Sequence, residues 1–129
     1  MSFDSIVYII GEYMLKYISE TRIIIESLYI LVNLAALGTY LRGLITRNVN
    51  IIRTLRTALA KSIDSHEVEV AALWLLINLT WHDENLLERK TIIFESEIPN
   101  LLEIYLSSPD PEIKDRVLTI FKNLNTKTP

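Results

Sequence analysis

Three asparagines recur at a constant interval along the chain, each inside an apolar run and each followed by leucine. They are Asn33, Asn78 and Asn123, and 45 residues separate neighbours. A carboxamide offers two N–H donors and a carbonyl acceptor, so it can pair with the backbone of an extended peptide. Left unpaired in an apolar helix, it costs on the order of 1–3 kcal/mol. The repeat therefore predicts either a row of peptide-binding amides or a row of hydrogen bonds to the backbone of adjacent repeats.

An aromatic residue stands one helical turn before two of these asparagines. Tyr29 and Trp74 hold that position, whereas Thr119 takes it in the last copy. Residues four apart share a helix face, so each ring could wall a side-chain pocket beside its amide, although large aromatic residues in helices commonly belong to the core. Trp81, three residues after Asn78, could extend this surface or close over the helix end, and we expect it to pack.

Helices must position these residues. Apolar residues recur with helical spacing, glycine occurs only three times, and no alternating run is long enough for a strand. Asp64 with Glu67 resembles a capping box, and Pro111 follows the candidate N-cap Asp110. We predict eight helices, at about residues 4–18, 21–37, 39–47, 50–62, 66–81, 86–95, 98–107 and 111–124.

The predicted helices group into sets of a short, a middle and a long helix, and the long helix carries the asparagine. The sets are a partial repeat 1–37, a repeat 38–82 and a repeat 83–125, followed by a tail 126–129. A period near 45 residues is typical of helical solenoids. The sequence therefore predicts a single repeat domain, in which equivalent positions of each repeat face the same side.

The two ends of this domain are expected to differ. In the last helix the charged residues Lys114, Asp115, Arg116 and Lys122 face away from an apolar stripe, as a terminal cap requires. That stripe consists of Val117, Leu118, Ile120, Phe121 and Leu124. At the other end, we expect an apolar face to pack on upstream repeats, or to cause aggregation or dimerisation, visible by light scattering, when it is uncovered. This face is predicted at Ile6, Ile10 and Met14.

Composition narrows the class of function. The net charge is −3 and no long run of one sign occurs, which argues against a nucleic-acid surface or a basic membrane patch, and no segment reads as a membrane span. The absence of cysteine excludes disulfides, thiolate metal sites and cysteine nucleophiles. His66 and His82 lie at opposite ends of one predicted helix, without a catalytic grouping around them. We predict a protein that is not an enzyme and has no metal or cofactor.

Two clusters of charged residues have a simple interpretation as solvated surface. The first cluster consists of Asp83, Glu84, Glu88, Arg89 and Lys90. It could instead select a basic partner tail. The other could meet an acidic partner and consists of Arg42, Arg47, Arg53 and Arg56.

The order of helices, with Trp-x-x-x-Asn on the third, resembles the armadillo repeat. The resemblance implies that the third helices line a concave groove. In such a groove the asparagine amides bond the backbone of an extended peptide, and the tryptophans wall pockets for its side chains. Only Trp74 with Asn78 carries the full pair. Tyrosine is a conservative departure in the first copy, and the loss of the aromatic puts the last pocket in doubt.

A closer resemblance covers about residues 68–125. The run from Trp74 to Glu84, the pair Glu88-Arg89 and the stretch from Ile98 to Asp110 are similar to the C-terminal repeats of the armadillo scaffold subunits of GID/CTLH ubiquitin ligases. The resemblance implies a non-catalytic scaffold, cytoplasmic and also nuclear, whose protein partners are a substrate-receptor tail and other ligase subunits.

The resulting expectation is an all-α, right-handed α-solenoid of about two and two-thirds armadillo repeats with a capped C-terminal end. The peptide-binding groove is expected at Asn78, Trp74, Asn33, Tyr29, Asn123 and Trp81. Two alternatives remain open. One is an importin- or catenin-like peptide-binding module, and the other is a purely structural C-terminal cap of a longer solenoid.

Overall fold

A computed structural model describes residues 1–125, which form helices joined by short turns. Within these residues there are eight α-helices and no strand, so the predicted all-α class is confirmed. The helices are α1 (Phe3–Lys16), α2 (Thr21–Ala35), α3 (Thr39–Thr46), α4 (Val49–Leu59), α5 (His66–Leu79), α6 (Leu86–Glu95), α7 (Ile98–Ile104), which continues as a 3-10 turn (Tyr105–Ser107), and α8 (Pro111–Asn125). The predicted tail 126–129 lies outside the described residues.

Side-chain caps explain where two of the three long helices, α5 and α8, begin. Ser65 Oγ accepts a hydrogen bond from the Val68 backbone N–H at 3.2 Å, so Ser65, and not Asp64, is the N-cap of α5. The N-terminal signal of α8 is confirmed. Asp110 Oδ1 accepts from the backbone N–H two residues later at 2.9 Å, and Pro111 is the first helical residue.

Helices at equivalent places in successive sets pack against one another. The long helices α2, α5 and α8 form one row, with α5 between the other two, while α1, α4 and α7 form a second row and α3 contacts α6. The predicted increase in helix length within each set is wrong for the last set, because α6 has 10 residues and α7 has 7. The core runs between these rows.

The central helix α5 is covered on most of its surface. The prediction that neighbouring repeats cover the apolar run of α5 on both sides is confirmed, except along one exposed face. Its buried residues are Val68, Val70, Ala71, Ala72, Leu73, Leu75, Leu76 and Leu79. Beyond its first turn, helix α5 therefore exposes few side chains to solvent.

The apolar residues at the two ends depart from the prediction. Met14 is fully buried and Ile6 and Ile10 are half-buried, because this side of α1 faces the molecule. The exposed apolar residues of α1 are instead Phe3, Tyr8, Ile9, Tyr13 and Leu15. In α8, Leu118 is 49 % exposed and so does not belong to the buried stripe.

Candidate functional site

Beyond its first turn, helix α5 leaves one strip of side chains uncovered, and Trp81 in the following turn continues it. Trp74 is 43 % exposed, Ile77 and Asn78 are half-buried, and Trp81 is 55 % exposed. Spacings of three and four residues place all four on one face. We call these four residues the α5 strip. The expectation that Trp81 packs over the helix end is wrong, since more than half of this residue is open to solvent.

A groove of about 400 Å³ lies beside the α5 strip, between α5 and α8. Its lining combines an indole, an amide and charges of both signs, and such a mixture can hold apolar and polar groups of a ligand together. The lining residues are Trp74, Ile77 and Asn78 from α5 and Glu112, Asp115, Arg116 and Thr119 from α8. We call this the α5–α8 groove.

Arg116 contributes to this groove in a way that the sequence analysis missed. Its guanidinium lies over the Trp74 ring, with Cζ 4.3 Å from the ring centroid, and Nη2 lies 3.7 Å from Glu112 Oε1. Its Nε is buried without a hydrogen-bond partner within residues 1–125. The expectation that Arg116 faces away from the packed side is therefore wrong. The sequence held one signal, because Arg116 stands one turn before Thr119, which the 45-residue repeat aligns with Trp74.

The three asparagines differ in what they contact. Asn78 Nδ2 donates to the Val32 carbonyl at 3.0 Å, and Asn123 Nδ2 donates to Thr80 Oγ1 at 3.2 Å. Asn33 is exposed, and its side chain makes no hydrogen bond within residues 1–125. Asn78 thus bonds to the backbone of the preceding long helix, as the alternative of hydrogen bonds between repeats predicts, whereas Asn123 bonds to a side chain in the turn that ends α5. The Asn78 bond uses one of its two N–H groups.

The predicted site residues are therefore only partly brought together. Trp74 and Asn78 line one groove, and Trp81 continues the same helix face beyond it. Tyr29, 38 % exposed, lies with Asn33 on α2, outside the α5–α8 groove. Asn123 does not line this groove either, although its helix does.

Replacing Asn78 with alanine is expected to lower the free energy of unfolding by about 1 kcal/mol, because one hydrogen bond between α5 and α2 is lost. The loss of stability should not be larger, because the Val32 carbonyl still accepts a hydrogen bond from the Ala36 N–H at 3.2 Å and is not left unpaired. Asn33→Ala is the matched control and should change stability by less than about 0.5 kcal/mol. Urea denaturation followed by circular dichroism measures both, and equal losses would contradict this difference.

Arg89 and Asp83 form a buried network, so the expectation of a merely solvated charged loop is wrong for both. Arg89 is 1 % exposed and the Asp83 side chain 10 %. Arg89 Nε donates to the Leu79 carbonyl at 2.7 Å and Nη2 to the Trp81 carbonyl at 2.9 Å. Its Nη1 and Nη2 each reach one Asp83 carboxylate oxygen at 3.0 Å. Arg89 thereby satisfies carbonyls at the end of α5, the helix that carries the strip.

Arg42 repeats this arrangement one set earlier. Its Nε donates to the Ala35 carbonyl at the end of α2 at 2.9 Å, and its Nη1 lies 2.8 Å from Asp83 Oδ2. Burial by itself raises the pKa of Asp83. Hydrogen bonds from Arg89, the Asn85 backbone N–H and Arg42 outweigh that effect and lower the pKa to about 2. One ionised carboxylate therefore joins two arginines that each cap a long helix.

Residues 1–125 contain no candidate for a membrane-spanning helix and no candidate group of metal ligands. No helix there is long and apolar enough to cross a membrane. In the same residues, His, Cys, Asp and Glu side chains form no group of three that could hold a metal ion. His66 Nε2 instead lies 2.6 Å from Asp110 Oδ2, which joins the first residue of α5 to the N-cap of α8.

Comparison of the chain with protein-family models, with curated proteins and with solved structures found no match in any of the three. The armadillo repeat and the GID/CTLH scaffold therefore remain predictions drawn from residues of this sequence.

Proposed function

We propose that this chain is a non-catalytic protein-binding module in which armadillo-type repeats present a groove to an extended peptide. The observation that carries the proposal is Trp74, which is 43 % exposed in the middle of a largely buried helix, with the Arg116 guanidinium 4.3 Å from its ring centroid. Tryptophan and arginine predominate among residues that supply binding energy at protein interfaces. The stacking restrains the indole, so less conformational entropy is lost when a partner binds.

Contacts repeated at intervals near 45 residues support the armadillo-type arrangement. Arg42 and Arg89 each lie on the first helix of a set and cap the preceding long helix. Asn78 and Asn123 each donate to the long helix before their own or to the turn that ends it. In a solenoid every repeat meets its neighbour through the same positions, which produces such recurring contacts. The proposal includes the right-handed superhelix and the role of α8 as its cap.

The groove chemistry suits a peptide that crosses α5 and α8. Asn78 retains one N–H beyond its bond to Val32, and its Oδ1 accepts no hydrogen bond within residues 1–125, so both can pair with a peptide backbone. A ligand side chain can then pack on Trp74. Main-chain bonds would supply affinity and the walled pocket would select the side chain.

We further propose that the module belongs to the scaffold of a GID/CTLH-type ubiquitin ligase. There it holds the tail of a substrate receptor, while its other surfaces contact further ligase subunits. The similarity of the segment from Trp74 to Glu84 supports this assignment.

The side chain of Asn33 supports the proposal that upstream repeats pack on α1 and α2. Both of its counterparts donate to the preceding repeat, and Asn33 has no such partner within residues 1–125.

An importin- or catenin-like module is the second candidate, and the acidic residues of the α5–α8 groove favour it. Glu112 and Asp115 line the groove beside Trp74. Their carboxylates would attract a lysine- or arginine-rich segment, whereas Arg116 next to them would oppose it. The identity of the bound tail decides between the two candidates.

Trp74→Ala is expected to reduce recovery of the bound partner about tenfold or more in a pull-down with the tagged chain, because the indole is the central apolar anchor. Phe94→Ala is the matched control, since Phe94 is 52 % exposed on α6 and outside the groove. Mass spectrometry identifies the proteins recovered, and circular dichroism checks the fold of both variants.

Ubiquitin-ligase subunits lost with Trp74→Ala and kept with Phe94→Ala would support the ligase scaffold. Basic peptides without ligase subunits would favour the importin-like candidate instead. A folded Trp74→Ala variant that retains every partner of the unmodified chain would refute the peptide-binding groove.

A further inference from the structure

A second groove, of about 510 Å³, lies on the side of the molecule formed by α3, α4 and α6. Its floor is apolar or small, since Ile52 is 8 % exposed, Ile92 is half-buried and Ser96 is buried. Val49, 68 % exposed, stands at its edge. We call it the α4–α6 groove. It shares no lining residue with the α5–α8 groove.

Three arginines border this groove. Arg53 and Arg56 are three residues apart on α4, so they project from one face, and both are exposed. Neither makes an ion pair within the described part of the chain. Arg47 Nη1 lies 3.0 Å from Glu88 Oε1, and both side chains are about half exposed. The arginine cluster seen in the sequence is thus divided, because Arg42 lies in the buried network while the other three face this groove.

The charge of the groove opposes that of the chain. Its lining holds three arginines and one acid, Glu95, a formal charge of +2 on a protein whose net charge is −3. Because Arg47 is paired with Glu88, the excess positive charge comes from Arg53 and Arg56. Local charge of this kind attracts carboxylates and repels basic partners. The planar guanidinium also matches the geometry of a carboxylate better than an ammonium does. A ligand with both acidic and apolar groups would therefore complement the arginines that border the groove and its apolar floor.

We propose that the α4–α6 groove binds an acidic peptide segment of a partner protein. The segment places an apolar side chain on Ile52 and Ile92 and its carboxylates beside Arg53 and Arg56. Nucleic acid fits less well, because its phosphates would leave the apolar floor uncovered and would meet Glu95 on the α6 side. The site does not depend on the proposed peptide binding at Trp74.

A fluorescent peptide with leucines set between glutamates, titrated into the whole chain at low salt, tests the proposal by anisotropy. Arg53→Gln and Arg56→Gln should each weaken binding about two- to fivefold, as expected for exposed charge pairs. Glu95→Gln should strengthen binding by a similar factor, because it removes a repulsion. Arg22→Gln is the matched control, since Arg22 is 89 % exposed on α2, and it should leave the affinity unchanged.

Two further probes test whether the ligand must be both acidic and a peptide. A peptide with lysines in place of the glutamates, and a single-stranded oligonucleotide of the same charge as the acidic peptide, should bind at least tenfold more weakly. Equal binding of either probe would overturn the proposal, as would Arg53→Gln and Arg56→Gln variants with unchanged affinity.

The position of the bound peptide is tested by nuclear magnetic resonance. Methyl resonances of Ile52 and Ile92 should shift on binding, because the proposal places an apolar side chain on both residues. Trp74→Ala should leave the affinity unchanged, since Trp74 lies in the α5–α8 groove. Shifts confined to the α5–α8 groove would assign the peptide there and refute the site.

Discussion

Replacing Arg89 with methionine is expected to lower the free energy of unfolding by about 3 kcal/mol, the largest single effect that the structure predicts. Arg89 is 1 % exposed and holds the carbonyls of Leu79 and Trp81 as well as both oxygens of Asp83. Methionine can fill the space but cannot donate to any of these groups. The loss should stay near the lower end of the range for broken buried ion pairs, because Arg42 still reaches Asp83 at 2.8 Å.

Arg47→Met is the matched control for this prediction. Arg47 pairs with Glu88 at 3.0 Å, but the two side chains are 46 % and 55 % exposed, so losing the pair should cost less than about 1 kcal/mol. Urea denaturation at neutral pH measures both variants. Arg89→Lys would keep the charge without the planar fork and should fall between them. Equal losses for Arg89→Met and Arg47→Met would show that the buried network contributes no more than a surface pair.

Acidification is expected to weaken the fold through Asp83 by about 2 kcal/mol. In the folded protein the pKa of Asp83 is lowered to about 2, against 3.8 for the ordinary carboxyl. A group whose folded pKa is depressed stabilises the fold fully above its unfolded pKa. That contribution is lost as the pH falls through the folded pKa. The loss should therefore develop between about pH 4 and pH 2.

Asp83→Asn isolates this contribution, because asparagine does not titrate. Other acidic groups also respond to pH, but they respond alike in both proteins and cancel in the difference. The gap in unfolding free energy between the unmodified chain and Asp83→Asn should be widest at neutral pH and should narrow below about pH 4. A gap that stays constant down to about pH 2 would contradict the lowered pKa of Asp83.

Much of the helical arrangement follows from local sequence signals. Apolar residues at helical spacing predict every helix observed in residues 1–125, with ends shifted by up to three residues. The largest shifts, of three residues, are at the ends of α4, which stops at Leu59, and of α7, which stops at Ile104 before its 3-10 turn. Backbone hydrogen bonds and side-chain caps within a few residues decide these ends, so the neighbouring residues carry the information. The shared face of Trp74, Asn78 and Trp81 follows in the same way from helical geometry.

The environment of the charged and amide residues could not be predicted from their neighbours in sequence. Arg89 and Arg116 look like solvated surface in the sequence, yet one is buried among carbonyls and the other lies on Trp74. Asn78 could have faced a ligand or another repeat, and its partner Val32 is 46 residues away. Such contacts depend on which helices pack together.

Local sequence was therefore enough to predict the helices, their 45-residue repetition and the face on which the Trp74–Asn78 pair lies, because helix formation and side-chain direction are local properties. Which partner each polar group contacts depends instead on how the helices pack. A guanidinium or an amide is stable in water or in a buried network, and the choice depends on whether distant segments bring acceptors within hydrogen-bonding distance. In this protein, Arg42, Asp83 and Arg89 lie in a buried network because α3 and α6 pack against the ends of the long helices.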